Sequence, residues 1–108
     1  MLTKKMPISK IEYVSPLIES HPMNDNIDVL VHLEDGRVYS FLVATPNNIF
    51  WCMENEKLDH YFGVPPVFVV NLTRDNIERA LEALVSESES GHNWLDIYGT
   101  LQQNEPED

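Results

Sequence analysis

Between Ile27 and Ala44 apolar and polar residues alternate on both sides of Asp35-Gly36, a pattern that leaves the chain little choice of local structure. Ile27, Val29, Val31 and Leu33 are separated by Asp28, Leu30, His32 and Glu34, a period of two that puts the first set on one face of a strand. Asp35-Gly36 favours a two-residue turn, after which Arg37 to Ala44 returns as a second strand. With those two residues as the loop, Leu33 faces Val38, Val31 faces Ser40 and Val29 faces Leu42 on the core side. On the other side His32 faces Tyr39 and Leu30 faces Phe41, and Glu34 meets Arg37 beside the turn.

The remaining elements follow from cap, breaker and periodicity signals. Ile8, Ile11, Tyr13 and Val14 allow a first strand before Pro16, followed by a loop over Ser20 to Asn26. Thr45-Pro46 reads as an N-cap with proline at the first helical position, opening a helix that runs to around Lys57. Leu58 to Pro66 holds Gly63 and Pro65-Pro66 and is irregular. Val67-Phe68-Val69-Val70 is continuously apolar, as for a strand covered on both faces. Thr73 caps a second helix whose Ile77, Ala80, Leu81, Leu84 and Val85 form one apolar stripe. Ser86 to Asn93 reads as a linker, and Trp94, Leu95, Tyr98 and Leu101 as a short helix or an extended segment packed on the body.

The order β-β-β-α-β-α, with a possible short C-terminal helix, implies an α+β fold: a mainly antiparallel sheet of about four strands with helices on one face. At 108 residues the chain suits one domain, placed at 1–101, with 102–108 a polar, acidic, frayed tail. Apolar residues at 43% and charged residues at 23% are ordinary for a folded domain.

The charge is not ordinary. Eighteen Asp and Glu oppose seven Lys and Arg, a formal net charge of −11, and no Lys or Arg follows Arg79. Such a field repels phosphate backbones and anionic lipid, so nucleic-acid and membrane partners are disfavoured. Neither a signal-peptide pattern nor a run of bilayer-spanning length occurs, and the single Cys52 suits a reducing compartment; the expected setting is the cytoplasm.

Motifs that would carry catalysis are absent: there is no Gly-rich phosphate loop, nucleophile elbow or paired metal-ligand spacing. Cys52, Glu56 and His60 share a face only if the first helix reaches residue 60, and the acidic neighbours Glu54 and Glu56 count against Cys52 as a nucleophile. The expectation is therefore no enzyme, no cofactor and no metal. The most informative oddity is Ile49-Phe50-Trp51-Cys52-Met53, five apolar residues that go right round the helix. If Ile49, Cys52 and Met53 face the core, Trp51 lies nearly opposite, with Leu58 on its side. Large exposed patches are rare on monomers, which favours cover by the Trp94 to Leu101 segment or the Tyr61-Phe62 loop. The functional alternative is a partner or dimer surface of Trp51, Leu58, Tyr61 and Phe62, rimmed by Glu54, Glu56 and Asp59.

Leu33-Glu34-Asp35-Gly36-Arg37, Val43-Ala44-Thr45-Pro46-Asn47-Asn48, Tyr61-Phe62-Gly63 and Leu72-Thr73 together resemble a group of small acidic bacterial proteins of largely uncharacterised function. These are mostly turn and cap residues, so the resemblance implies a common fold more than an activity. In composition the chain is also similar to immunity proteins, which neutralise toxin domains by binding them. That implies a protein-binding domain acting on a basic partner. The other expectations are a small-ligand-binding or enzyme accessory protein using His32 and Tyr39, and a structural homodimer joined at a sheet edge.

Overall fold

A computed structural model of the chain describes residues 7–14, 26–60 and 65–103. Its elements are β1 (Ile8–Tyr13), β2 (Asn26–Leu33), β3 (Val38–Ala44), α1 (Pro46–Asn55), β4 (Val67–Phe68), α2 (Arg74–Glu89), α3 (Trp94–Tyr98) and β5 (Gly99–Gln103). The fold is α+β with a mostly antiparallel sheet, but of five strands rather than four. Strands β1, β2 and β3 form an antiparallel meander. The far edge of β3 is shared: β5 lies antiparallel beside Val38 to Phe41, and β4 lies parallel beside Val43 and Ala44. Gln102 and Gln103 thus belong to a strand instead of the expected tail, and residues 104–108 lie outside the described residues. The loop expected over Ser20 to Asn26 also lies outside them, except for Asn26, which opens β2.

The hairpin register is one residue away from the expected one. Leu30 pairs with Ser40, Val31 with Tyr39 and Val29 with Phe41, and His32 sits opposite Val38. A two-residue type I′ turn would need positive φ at both Asp35 and Gly36, yet only Gly36 adopts it, at 96°. The loop therefore has three residues, closed by Gly36 N–H donating to Leu33 O at 3.1 Å and Leu33 N–H donating to Arg37 O at 2.8 Å. Asp35 keeps a negative φ, and its carboxylate accepts from Arg37 N–H at 3.0 Å and Arg37 Nε at 2.8 Å. Arg37 accordingly pairs with Asp35, not with Glu34.

One residue of slip exchanges the faces of β3. Tyr39, Phe41 and Val43 join Ile27, Val29, Val31 and Leu33 in the core, and Val38, Ser40 and Leu42 turn to the other face. This choice buries two aromatic side chains and leaves Ser40 half-buried, the reverse of what the two-residue loop would do. It also places His32 and Tyr39 on opposite faces, so the polar pair expected between them does not form. In β1 a register shift between Ile8 and Lys10 does similar work, keeping Ile8, Ile11 and Tyr13 on the core face.

Helix α2 closes this face with its apolar stripe. Ile77, Leu81 and Val85 are fully buried, each contributing about 1.5–3 kcal/mol by leaving water. Thr73 Oγ1 accepts from Asn76 N–H, capping the helix as its sequence implies. The helix takes in the first half of the expected linker, running to Glu89, and ends where Gly91 adopts φ 113°. There His92 N–H bonds to Glu87 O and Gly91 N–H to Ser88 O, a Schellman reversal that sends the chain back along α2. Ser88 Oγ holds the returning segment by donating to Leu84 O and accepting from Leu95 N–H. On the other side of α2, Tyr13 donates to Glu78 at 3.0 Å, and the Arg74 guanidinium lies 4.5 Å from the Tyr13 ring centroid.

Val67 to Val70 are not covered on both faces. Val69 is buried whereas Phe68 and Val70 are 50% and 77% exposed, because β4 is a two-residue edge strand with only one face on the core.

At the α3–β5 junction, a Cβ added at Gly99 would stand 2.8 Å from Leu95 O and 2.9 Å from Phe41 Cζ. Neither a backbone carbonyl nor a core phenyl ring yields readily. Gly99→Ala is expected to destabilise the fold by about 1–3 kcal/mol, more than the about 0.4–1 kcal/mol that restricting the unfolded chain returns. Urea unfolding followed by tryptophan fluorescence measures the difference. In the same assay Gly36→Ala should cost about 1–2 kcal/mol through its left-handed φ.

Candidate partner-binding surfaces

Helix α1 begins on Thr45, whose Oγ1 accepts from Asn48 N–H at 3.2 Å, with Pro46 in its first turn. Only Asn48 and Ile49 are buried along it. Asn48 Oδ1 accepts from Asn26 Nδ2 at 2.7 Å, which ties the helix to the start of β2. The helix stops at Asn55 because Lys57 adopts φ 57°, a left-handed position more usual for glycine. Leu58 N–H then bonds to Met53 O at 2.8 Å and Lys57 N–H to Glu54 O at 3.2 Å, the same reversal that ends α2.

This geometry decides the apolar run. Cys52 and Met53 are half-buried, but Phe50 is 58% exposed, Trp51 50% and Leu58 45%. The sequence favours cover for Trp51, but the Trp94 to Leu101 segment packs along α2 and beside β3, and the indole stays half-exposed. Phe50, which is not among the residues selected from the sequence, is the most exposed of the run. Its signal was the length of the run itself: five consecutive apolar residues exceed what one helix face holds. Glu54, Glu56 and Asp59 are all exposed on the same short stretch, and Tyr61 and Phe62 lie outside the described residues. Because α1 ends at Asn55, Cys52, Glu56 and His60 do not share one helix face. Among the described residues no group of three His, Cys, Asp or Glu is placed to hold a metal ion, and no helix is long and apolar enough to cross a membrane.

A second surface lies between β4, α2 and α3. Pro66, Phe68, Ala83, Leu84, Trp94 and Tyr98 are among the residues lining an open, largely apolar groove of about 330 Å³, with Glu87 as its carboxylate. Trp94 Nε1 donates to Glu87 Oε1 at 2.9 Å, and one indole neighbour is the His92 ring, stacked at 5.7 Å. The i, i+4 spacing of Trp94 and Tyr98 was the available hint that both rings share one side of a helix.

Near the hairpin turn a third, polar cavity of about 350 Å³ holds Asp35, Arg37, Tyr39 and Asp96. Arg37 Nη1 donates to Tyr39 Oη at 3.3 Å, and Tyr39 Oη reaches Asp96 at 3.5 Å, the limit of hydrogen bonding. Burial works against ionisation of Asp35, but the Arg37 N–H and guanidinium outweigh it and hold the carboxyl below its ordinary value. The guanidinium is already occupied by Asp35, so this cavity offers a satisfied ion pair rather than a reactive group.

Two outcomes follow for stability. Lys57→Gly relieves the left-handed strain and should stabilise the fold by about 1 kcal/mol in urea unfolding. Because the Asp35 pKa is depressed, its contribution is present above the ordinary carboxylate range and is lost as pH falls through the folded value. The stability difference between wild type and Asp35→Asn should therefore be largest near neutrality and shrink on acidification. A difference that is flat with pH would show that the pair contributes nothing.

No family model matches the chain, and neither a curated protein nor a solved structure matches it.

Proposed function

We propose that this chain is a small protein-binding domain that presents the exposed face of α1 to a basic partner in the cytoplasm, as an inhibitor of the immunity type does. The observation that carries this reading is the half-exposed trio Phe50, Trp51 and Leu58 bordered by Glu54, Glu56 and Asp59. Two adjacent aromatic side chains left in water can supply the few desolvated anchors that dominate interface affinity. The acidic rim adds electrostatic steering toward a positive surface, and the net charge of −11 extends that field.

The placement of the acids supports the same reading. Glu54 and Glu56 occupy the C-terminal end of α1, where the helix dipole favours cations, and no base lies in its last turn. An acid there costs about 0.3–1 kcal/mol of folding stability at an exposed site. Residues that break a local stability rule are expected at functional surfaces.

The test is affinity capture from the native cell, followed by binding measurements with the purified partner. The expected partner is a basic protein whose affinity falls at least about 30-fold with Trp51→Ala while the melting temperature is unchanged. Glu54→Lys should weaken binding yet raise the melting temperature, two effects of opposite sign that a purely structural role for Glu54 does not produce. An acidic partner, or affinity indifferent to both substitutions, overturns the reading. So does a Trp51→Ala variant whose only change is in self-association, which would assign α1 to a homodimer.

A further inference from the structure

The groove between β4, α2 and α3 is separate from the α1 surface and carries its own chemistry. Its lining combines the small Ala80 and Ala83 with the aromatic Phe68, Trp94 and Tyr98. The one carboxylate among its lining residues is Glu87, and no Lys or Arg is among them. One oxygen of Glu87 is held by Trp94 Nε1, and the other accepts no hydrogen bond from a described residue. No Lys or Arg follows Arg79 in the chain, so α3 and β5 bring no permanently charged cation to that carboxylate.

We propose that this groove binds the side chain of an arginine or lysine presented by a partner peptide. Such a side chain has an apolar stem suited to the apolar lining and a cationic head that is attracted both by aromatic faces and by the carboxylate. An apolar side chain gains nothing from the carboxylate, whereas a cationic one adds an ion pair, and that difference selects between them. The chain makes an analogous arrangement internally. Arg74 sits 4.5 Å over the Tyr13 ring while its Nη1 approaches Glu78 at 3.4 Å, a guanidinium shared between a ring face and a carboxylate. In the groove the ring and the carboxylate are present and the cation comes from outside. Charge complementarity thus names the occupant.

The experiment titrates the isotopically labelled full chain with acetyl-Gly-Gly-Xaa-Gly-Gly-amide peptides, where Xaa is Arg, Lys or norleucine. The reporter is the Trp94 indole N–H resonance, told from that of Trp51 by a Trp51→Phe variant. The Arg or Lys peptide is expected to shift this resonance saturably and to bind at least ten-fold more tightly than the norleucine peptide, which has the stem without the charge. Glu87→Gln keeps an oxygen for Trp94 Nε1 and should bring the cationic peptides down to the norleucine level. Ala83→Leu, at an exposed position lining the groove, should abolish binding of all three with the fold retained, as judged by the thermal melt. Equal binding of norleucine, or a Trp94 resonance that does not respond, overturns the proposal. Preference for free n-butylammonium chloride over either cationic peptide also overturns it, assigning the groove to a small amine. Because the titration reads Trp94 and the partner assay reads Trp51, failure of one assignment leaves the other standing.

Discussion

The left-handed turn at Gly36 sets the register on which every other contact of the sheet depends. With φ at 96° it closes a three-residue loop and aligns Val29 with Phe41 and Val31 with Tyr39. Strand β3 is the hub: it pairs with β2 on one side and with β4 and β5 on the other. A slip of one residue would expose Phe41, now 1% exposed, and remove the ring against which Gly99 packs. The α3–β5 return, the groove and the apolar face beneath α2 would all lose their support together.

Two helices end in the same backbone reversal with opposite results. At the end of α2, glycine occupies the left-handed position and the returning chain is caught by Ser88, Glu87 and the sheet itself. At the end of α1 the position is held by Lys57, and the chain beyond it leaves Leu58 45% exposed beside an aromatic run. Leu95 and Tyr98 pack against the core on the return from α2, whereas Phe50, Trp51 and Leu58 stay exposed. The apolar surface of α1 is thus a region where folding leaves hydrophobic area in water, and it is bordered by carboxylates that the helix dipole disfavours.

Both proposed surfaces point toward a positively charged counterpart, by different physics. On α1 broad apolar area meets a rim of acids, which suits a flat contact with a folded protein. In the groove a single carboxylate is pinned to an indole, which suits one side chain. A basic partner long enough to reach both would bind more tightly than either contact alone permits, through the effective concentration of the second contact.

Much of the architecture was legible in the residues themselves. Thr45-Pro46 and Thr73 mark helix starts by local hydrogen bonding, the stripe from Ile77 to Val85 declares its buried face, and alternation from Ile27 to Ala44 declares a hairpin; none of these needs a distant partner. The acidic surplus and the excess length of the Ile49 to Met53 run were equally plain. Tertiary structure decided the rest. Which face of β3 is buried turned on whether Asp35 prefers positive φ or a bond to Arg37, an energy difference that the dipeptide alone does not reveal. Whether Trp51 is covered turned on where Trp94 and Tyr98 go. Their segment is drawn to the open edge of β3, where its backbone groups find partners, rather than to α1. Local signals determined the hairpin and the two longer helices, and competition for sheet edge and core face determined β5 and which aromatic side chains remain in water.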